Sequence, residues 1–209
     1  MTKRLLPSSL SSSTRAFLFL VLGAFLSACG HVPLTTIAKL SQFDMLETNP
    51  DALRLAVKYP EGIQIPQGGA TMALKLERKE DGVVLMEEEL AFEEVASKAE
   101  KAGLSQELQD GWRLEIYRLP EENLPFFRSF QKHMASMSKS EREKVEGTLN
   151  IGVSGCLLTA EKPSEIRVST FLKAAELGGY VTLLRNFDLE EQMTELGGEN
   201  GLDRCPDAA

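Results

Sequence analysis

Gly152-Val153-Ser154-Gly155-Cys156 has nearly the spacing of the G-x-S-x-G turn that exposes a serine nucleophile, with cysteine in the last position. Such a turn works where a strand runs directly into a helix. Here Leu157-Leu158 continue the apolar run as a strand would, so the segment reads as a strand broken at a bulge by Gly and Ser. A serine nucleophile also needs a base, and the chain holds two histidines, His31 and His133. His133 falls one position off a Phe/Met stripe and reads as a helix-surface residue. Glu87-Glu88-Glu89, Glu93-Glu94 and Glu190-Glu191 supply carboxylates, but glycoside hydrolysis needs two at a defined separation across a cleft. Neighbours on a strand point to opposite faces, so these acids read as solvated surface. Glu88 alone shares the parity of Met86 and Leu90, which places an inward charge at a bulge or a sheet edge. No catalytic set can be assembled, and the chain reads as a non-enzyme.

Metal and cofactor chemistry is equally unframed. There is no Cys-x-x-Cys, and the two histidines are far apart. Neither a D-x-D-x-D-G calcium loop nor a Gly-rich phosphate loop occurs, so no metal or cofactor is expected. Phe126, Phe127, Phe130, Met134 and Met137 fall at helical spacing between Pro125 and Gly147. As core, that stripe docks a helix on a sheet, which is the favoured reading. As a candidate binding face, Phe and Met suit lipid tails or a partner's apolar surface.

The elements that would carry these residues have a dominant period of two. Leu53, Leu55 and Val57 alternate with polar or small residues up to a turn at Tyr59-Pro60-Glu61-Gly62. Met72, Leu74 and Leu76 follow, then a hairpin turn at Glu80-Asp81-Gly82 and a return through Val84, Met86, Leu90 and Phe92. Further strands are expected at Trp112–Ile116, Leu149–Val153, Ile166–Leu172 and Tyr180–Phe187. Two segments break the period. One is the Phe/Met stripe, expected as an amphipathic helix over about 121–145, kinked or split at a capping box in Ser140-Glu141-Arg142-Glu143. The other, Val95 to Leu108, is a second helical possibility, polar and interrupted by Gly103. Thr35 or Thr36 is placed to cap a short helix carrying Ile37, Leu40 and Met45. The fold class is mainly β, or α+β: an antiparallel sandwich or rolled sheet of about seven strands with one amphipathic helix.

The N-terminus joins Lys3, Arg4 and Arg15 to an uninterrupted apolar run, Ala16 to Leu26, that ends in Ser27-Ala28-Cys29. At 11 residues the run is too short for a bilayer, which takes about 20. A basic start, a short apolar stretch and small residues are the layout of a cleaved secretory peptide. With the cysteine, Leu26-Ser27-Ala28-Cys29 resembles a bacterial lipoprotein signal. The resemblance implies cleavage between Ala28 and Cys29, acyl chains on Cys29, and anchoring in the cell envelope. Gly30 after the cysteine favours the outer membrane facing the periplasm over the inner membrane. The organisation expected is then a signal peptide over 1–28, a short tether over 29–33 and one globular domain over 34–209.

The first 28 residues hold three basic residues and no acid, so the remainder carries 20 Lys and Arg against 31 Asp and Glu, a net charge of −11. Nucleic acid and anionic lipid surfaces repel such a domain, so membrane attachment must come from the lipid on Cys29. With Cys29 taken by the anchor, an oxidising compartment favours a disulfide between Cys156 and Cys205. The alternative is a buried Cys156 and a free Cys205. The function expected is a non-catalytic interaction or accessory lipoprotein with an envelope protein as partner. The runner-up is a lipid- or small-ligand-binding module with its pocket between helix and sheet.

Overall fold

A computed structural model of the chain describes residues 43–159, 161–189 and 202–206, which belong to one compact unit, Val32–Ala209. Ala28, Cys29, His31, Thr35, Thr36 and Glu190-Glu191 lie outside the described residues. Met45, expected at the end of a short helix, lies in a turn.

The class is as expected, mainly β, with antiparallel pairing between all the named strands; all seven expected strands are present and three short ones are added. Strands β1 (Arg54–Pro60), β6 (Trp112–Arg118), β9 (Arg167–Ala174) and β10 (Gly179–Asp188), with the two-residue β5 (Glu93–Glu94), form one sheet ordered β10-β9-β1-β6-β5. Strands β3 (Ala70–Arg78), β4 (Val84–Ala91) and β7 (Val145–Val153) form a second, ordered β4-β3-β7. β2 (Ile63–Gln64) pairs with β8 (Cys156–Leu157) in a short ribbon. Leu55, Val57 and Tyr59 of β1 meet Met72, Leu74 and Leu76 of β3 in the main core, so the two sheets are layers of a sandwich.

β1 departs from the alternating pattern expected of it. All but its first residue are buried, because both faces of the five-stranded sheet are covered. The second cover is the segment that the sequence left polar and ambiguous. It contains helix α1 (Lys98–Ala102) and a 3-10 turn at Ser105–Glu107, and Leu104 packs from it onto Ala56, Leu114, Ile116 and Phe171 in a separate small core. Two carboxylates fasten this cover. Glu100 pairs with Arg54 and Lys173, each at 3.1 Å. Glu107 lies 3.6 Å from Lys58 and 3.0 Å from Arg185, with both Lys58 and Glu107 buried. Burial pushes the Glu100 carboxyl up, but the hydrogen bond from Lys173 and the Arg54 and Lys173 charges outweigh it and hold it below the usual range. Breaking a buried pair strands its partner's charge. Glu107→Ala should therefore cost about 3–5 kcal/mol in a urea titration, and a loss under about 1 kcal/mol would mean that Lys58 is solvated.

The helical segment is split, as its capping signal implied. Helix α2 (Leu124–Ser136) ends where Met137 turns extended, and α3 (Lys139–Arg142) starts anew. The cap lies two residues earlier than expected. Ser138 accepts from the Glu141 backbone N–H while the Glu141 carboxylate accepts from the Ser138 N–H. Ser138 is the extended residue just before α3, and Glu141 is the third helical residue after it, as the reciprocal cap requires. Gln131 of α2 donates to the carbonyls of Met45 and Thr48, and Arg128 pairs with Asp51, which fixes the helix against the chain entering β1.

β4 is a sheet edge, as expected for Glu88, which sits there opposite Leu74; its side chain is exposed rather than buried inward, and a charge at that edge disfavours further strand pairing.

Candidate functional site

The stripe expected as core or binding face is core. Phe127, Phe130 and Met134 are buried in the main core, and Phe126 and Met137 pack against it half-covered. Its apolar face is used in closing the sandwich, so it does not stand free as a surface. His133 is exposed on the same helix.

The G-V-S-G-C segment passes from β7 to β8, strand to strand, with no helix after it. The Ser154 backbone N–H donates to the Gly69 carbonyl at 2.7 Å, and its hydroxyl points at the same oxygen at 3.3 Å. That hydroxyl ties down the loop before β3. A Cβ at Gly155 would stand 3.0 Å from Cγ2 of Ile63, a close approach that the Ile63 side chain would have to yield to. Cys156 is bonded to Cys205, with their Cα atoms 4.9 Å apart. Leu157 donates to Asp203 and accepts from Cys205, so the tail over 203–205 runs beside β8. Closing a loop of 49 residues contributes about 4 kcal/mol in the chain-entropy model.

These pieces border a cavity of about 740 Å³. It lies in the seam where β7, the edge of the three-stranded sheet, faces β10, the edge of the five-stranded sheet. Leu149, Ile151 and Val153 line it from β7, and Leu183, Leu184 and Phe187 from β10. Val57, Tyr59, Val168, Thr170 and Leu172 form its floor on β1 and β9. Ile63, Ile65 and Gly155 close the ribbon side, and Leu202 joins them from the disulfide-held tail. The β7 and β10 side chains are only half-buried, although they point inward, because the neighbours that would bury them are missing across the seam.

The backbone keeps this seam open. β10 is irregular between Thr182 and Leu184 and again between Leu184 and Phe187. The first irregularity turns two successive leucines, Leu183 and Leu184, toward the cavity, which a regular strand cannot do. Beside the second, Asn186 takes φ of 50°, a conformation that asparagine tolerates better than most residues. Its N–H donates to the hydroxyl of buried Ser169 at 2.9 Å, which holds the kink.

The pocket anticipated between helix and sheet is thus found between the sheets. Its rows were legible as strands but not as a cavity wall, since the sequence does not show which edges will lack a partner. The adjacent pair Leu183-Leu184, a break in the alternation of β10, was the available signal.

Tyr59 and Tyr117 form a polar spot near the floor. The Tyr117 hydroxyl donates to Glu115 at 2.6 Å. The Tyr59 hydroxyl is buried without a hydrogen-bond partner in this geometry. Burial, reinforced by the Glu115 carboxylate, pushes both phenols far above their ordinary value. Among the described residues no group of His, Cys, Asp and Glu is arranged to hold a metal ion, and no helix is long and apolar enough to cross a membrane. No family model matches the chain, and no curated protein or solved structure matches it.

Proposed function

We propose that this is a lipid-anchored cell-envelope protein whose globular part binds an apolar small molecule in the seam between its two sheets. The observation that carries the reading is the cavity itself. At about 740 Å³ it falls within the roughly 300–1,000 Å³ of small-molecule sites, and its walls are apolar apart from a few uncharged polar residues. The envelope placement rests on the resemblance of Leu26-Ser27-Ala28-Cys29 to a lipoprotein signal, and acyl chains on Cys29 would supply the anchor.

A second reading, docking of an envelope protein, draws on Val83, Val84 and Leu85 beside the free edge of β4. Each is 43–44 % exposed. Glu87, Glu88 and Glu89 on the same strand oppose strand addition, which ranks this reading second.

Native mass spectrometry of the full chain carrying Cys29→Ser, made in a bacterial envelope, tests the leading reading. A retained apolar adduct is expected. A bare mass, with no uptake of the fluorophore phenylnaphthylamine, would remove it. The wild-type spectrum should show a chain starting at Cys29 with acyl mass added.

A further inference from the structure

Resting on the apolar-ligand reading above, we propose that the ligand is an amphiphile whose unbranched hydrocarbon lies along the seam, with its polar end left at the mouth. The wall chemistry gives the first argument. No described residue lining the cavity carries a charge. Its polar side chains are few and neutral, and the Ser154 hydroxyl is already directed at the Gly69 carbonyl. Asn150 is an exposed residue between inward-facing Leu149 and Ile151, so its side chain falls on the outer face of β7. A carboxylate or phosphate drawn inside would meet no cation, only neutral hydroxyls such as that of Tyr59, so a charged end is favoured at the mouth.

Shape gives the second argument. The lining rows run along strands: Leu149 to Val153 on one side and Leu183 to Phe187 on the other. The four steps between five residues, at about 3.3 Å each, make a seam roughly 13 Å long. A cavity of about 740 Å³ over that length has room for unbranched chains laid along the strands, side by side as well as singly.

Position gives the third. Phe43 lines the cavity, and the 14 steps of chain from Cys29 to Phe43 cover at most roughly 50 Å when extended. An anchor at Cys29 keeps the seam within that reach of a bilayer, where acyl chains are the abundant apolar groups.

The test is displacement of phenylnaphthylamine from the full Cys29→Ser chain by straight-chain acids from octanoate to hexadecanoate. Each added methylene should tighten binding about fourfold until the seam is filled, and then no further. Ile151→Trp, which shortens the slot, should bring the plateau to shorter acids. Leu184→Asp should weaken every member of the series while the thermal transition persists. Incubation with phosphatidylethanolamine vesicles, followed by flotation, separates the sources. Phospholipid recovered with the unfloated protein marks a membrane lipid, and binding of the acids alone marks a free acid; both support the chain-shaped ligand. Displacement independent of chain length would overturn the inference and leave apolar binding standing. Failure of both fluorophore and acids to bind would overturn the two together.

Discussion

Phe127→Asp should abolish cooperative unfolding of the domain. Phe127 is 0 % exposed in the main core, next along its helix to buried Leu124, Phe130 and Met134. Removing the ring alone costs about 3–5 kcal/mol in a packed core. The carboxylate then sits among apolar neighbours with no cation to meet it, and the combined loss exceeds about 5 kcal/mol. Domains of this size are stable by only about 5–15 kcal/mol, so little or no folded protein should remain. Circular dichroism during a urea titration reads this directly. Phe126→Asp, one position around the helix and half-covered, should retain a transition at lower urea. If Phe127→Asp instead melted like the wild type, the stripe would be free to bind a partner and its packing against the sheets would be wrong.

The legible part of this fold is the part set by local periodicity. Met72, Leu74 and Leu76 alternate because β3 has one buried face, and the sequence shows it. The Phe/Met stripe likewise marks α2 by its spacing. What stayed hidden depends on pieces remote in sequence. β1 looked one-sided, yet Ala56 and Lys58 are buried by residues that lie 40 to 50 positions later. A lysine on a strand reads as solvent-facing unless its carboxylate is known, and Glu107 sits in a segment without a helical stripe. The disulfide was readable by counting cysteines, because two were left after Cys29. The cavity was not readable, since it comes from two sheet edges that fail to pair.

That failure to pair is what makes the seam a candidate site. A β7–β10 ladder would turn the sandwich toward a closed barrel and bring Leu149 and Ile151 against Leu183 and Leu184. The two irregularities of β10 and the turned-out Asn186 backbone prevent a straight edge from forming there. A left-handed residue and two lost ladder positions cost stability, and the sandwich carries them where apolar side chains are left half-covered. The neighbouring wall is held by the disulfide, whose tail contributes Leu202.

Raising the pH above 10 should unfold the domain before any native tyrosine ionises. The chain has three tyrosines, Tyr59, Tyr117 and Tyr180, and all three phenols are raised in the fold. Burial is the main cause at each; Tyr180, also near Glu100, is pushed up to about 12, and the other two go higher. In the unfolded chain a tyrosine ionises near 10. Below that value both states keep their protons, and the stability tied to these hydroxyls is fully present. Above it the unfolded chain releases protons that the folded chain retains, so stability falls by about 1.4 kcal/mol per pH unit for each tyrosine. Tyr59 and Tyr117 alone would remove about 5–6 kcal/mol between pH 10 and 12. Phenolate absorbance and far-ultraviolet circular dichroism should therefore change together, in one step. A gradual phenolate signal near pH 10 with the dichroism intact would mean that these hydroxyls meet solvent. Tyr59 also forms part of the cavity floor, so a bound hydrocarbon should move the step to higher pH, because a ligand held only by the folded chain adds RT ln(1 + [L]/Kd) to its stability.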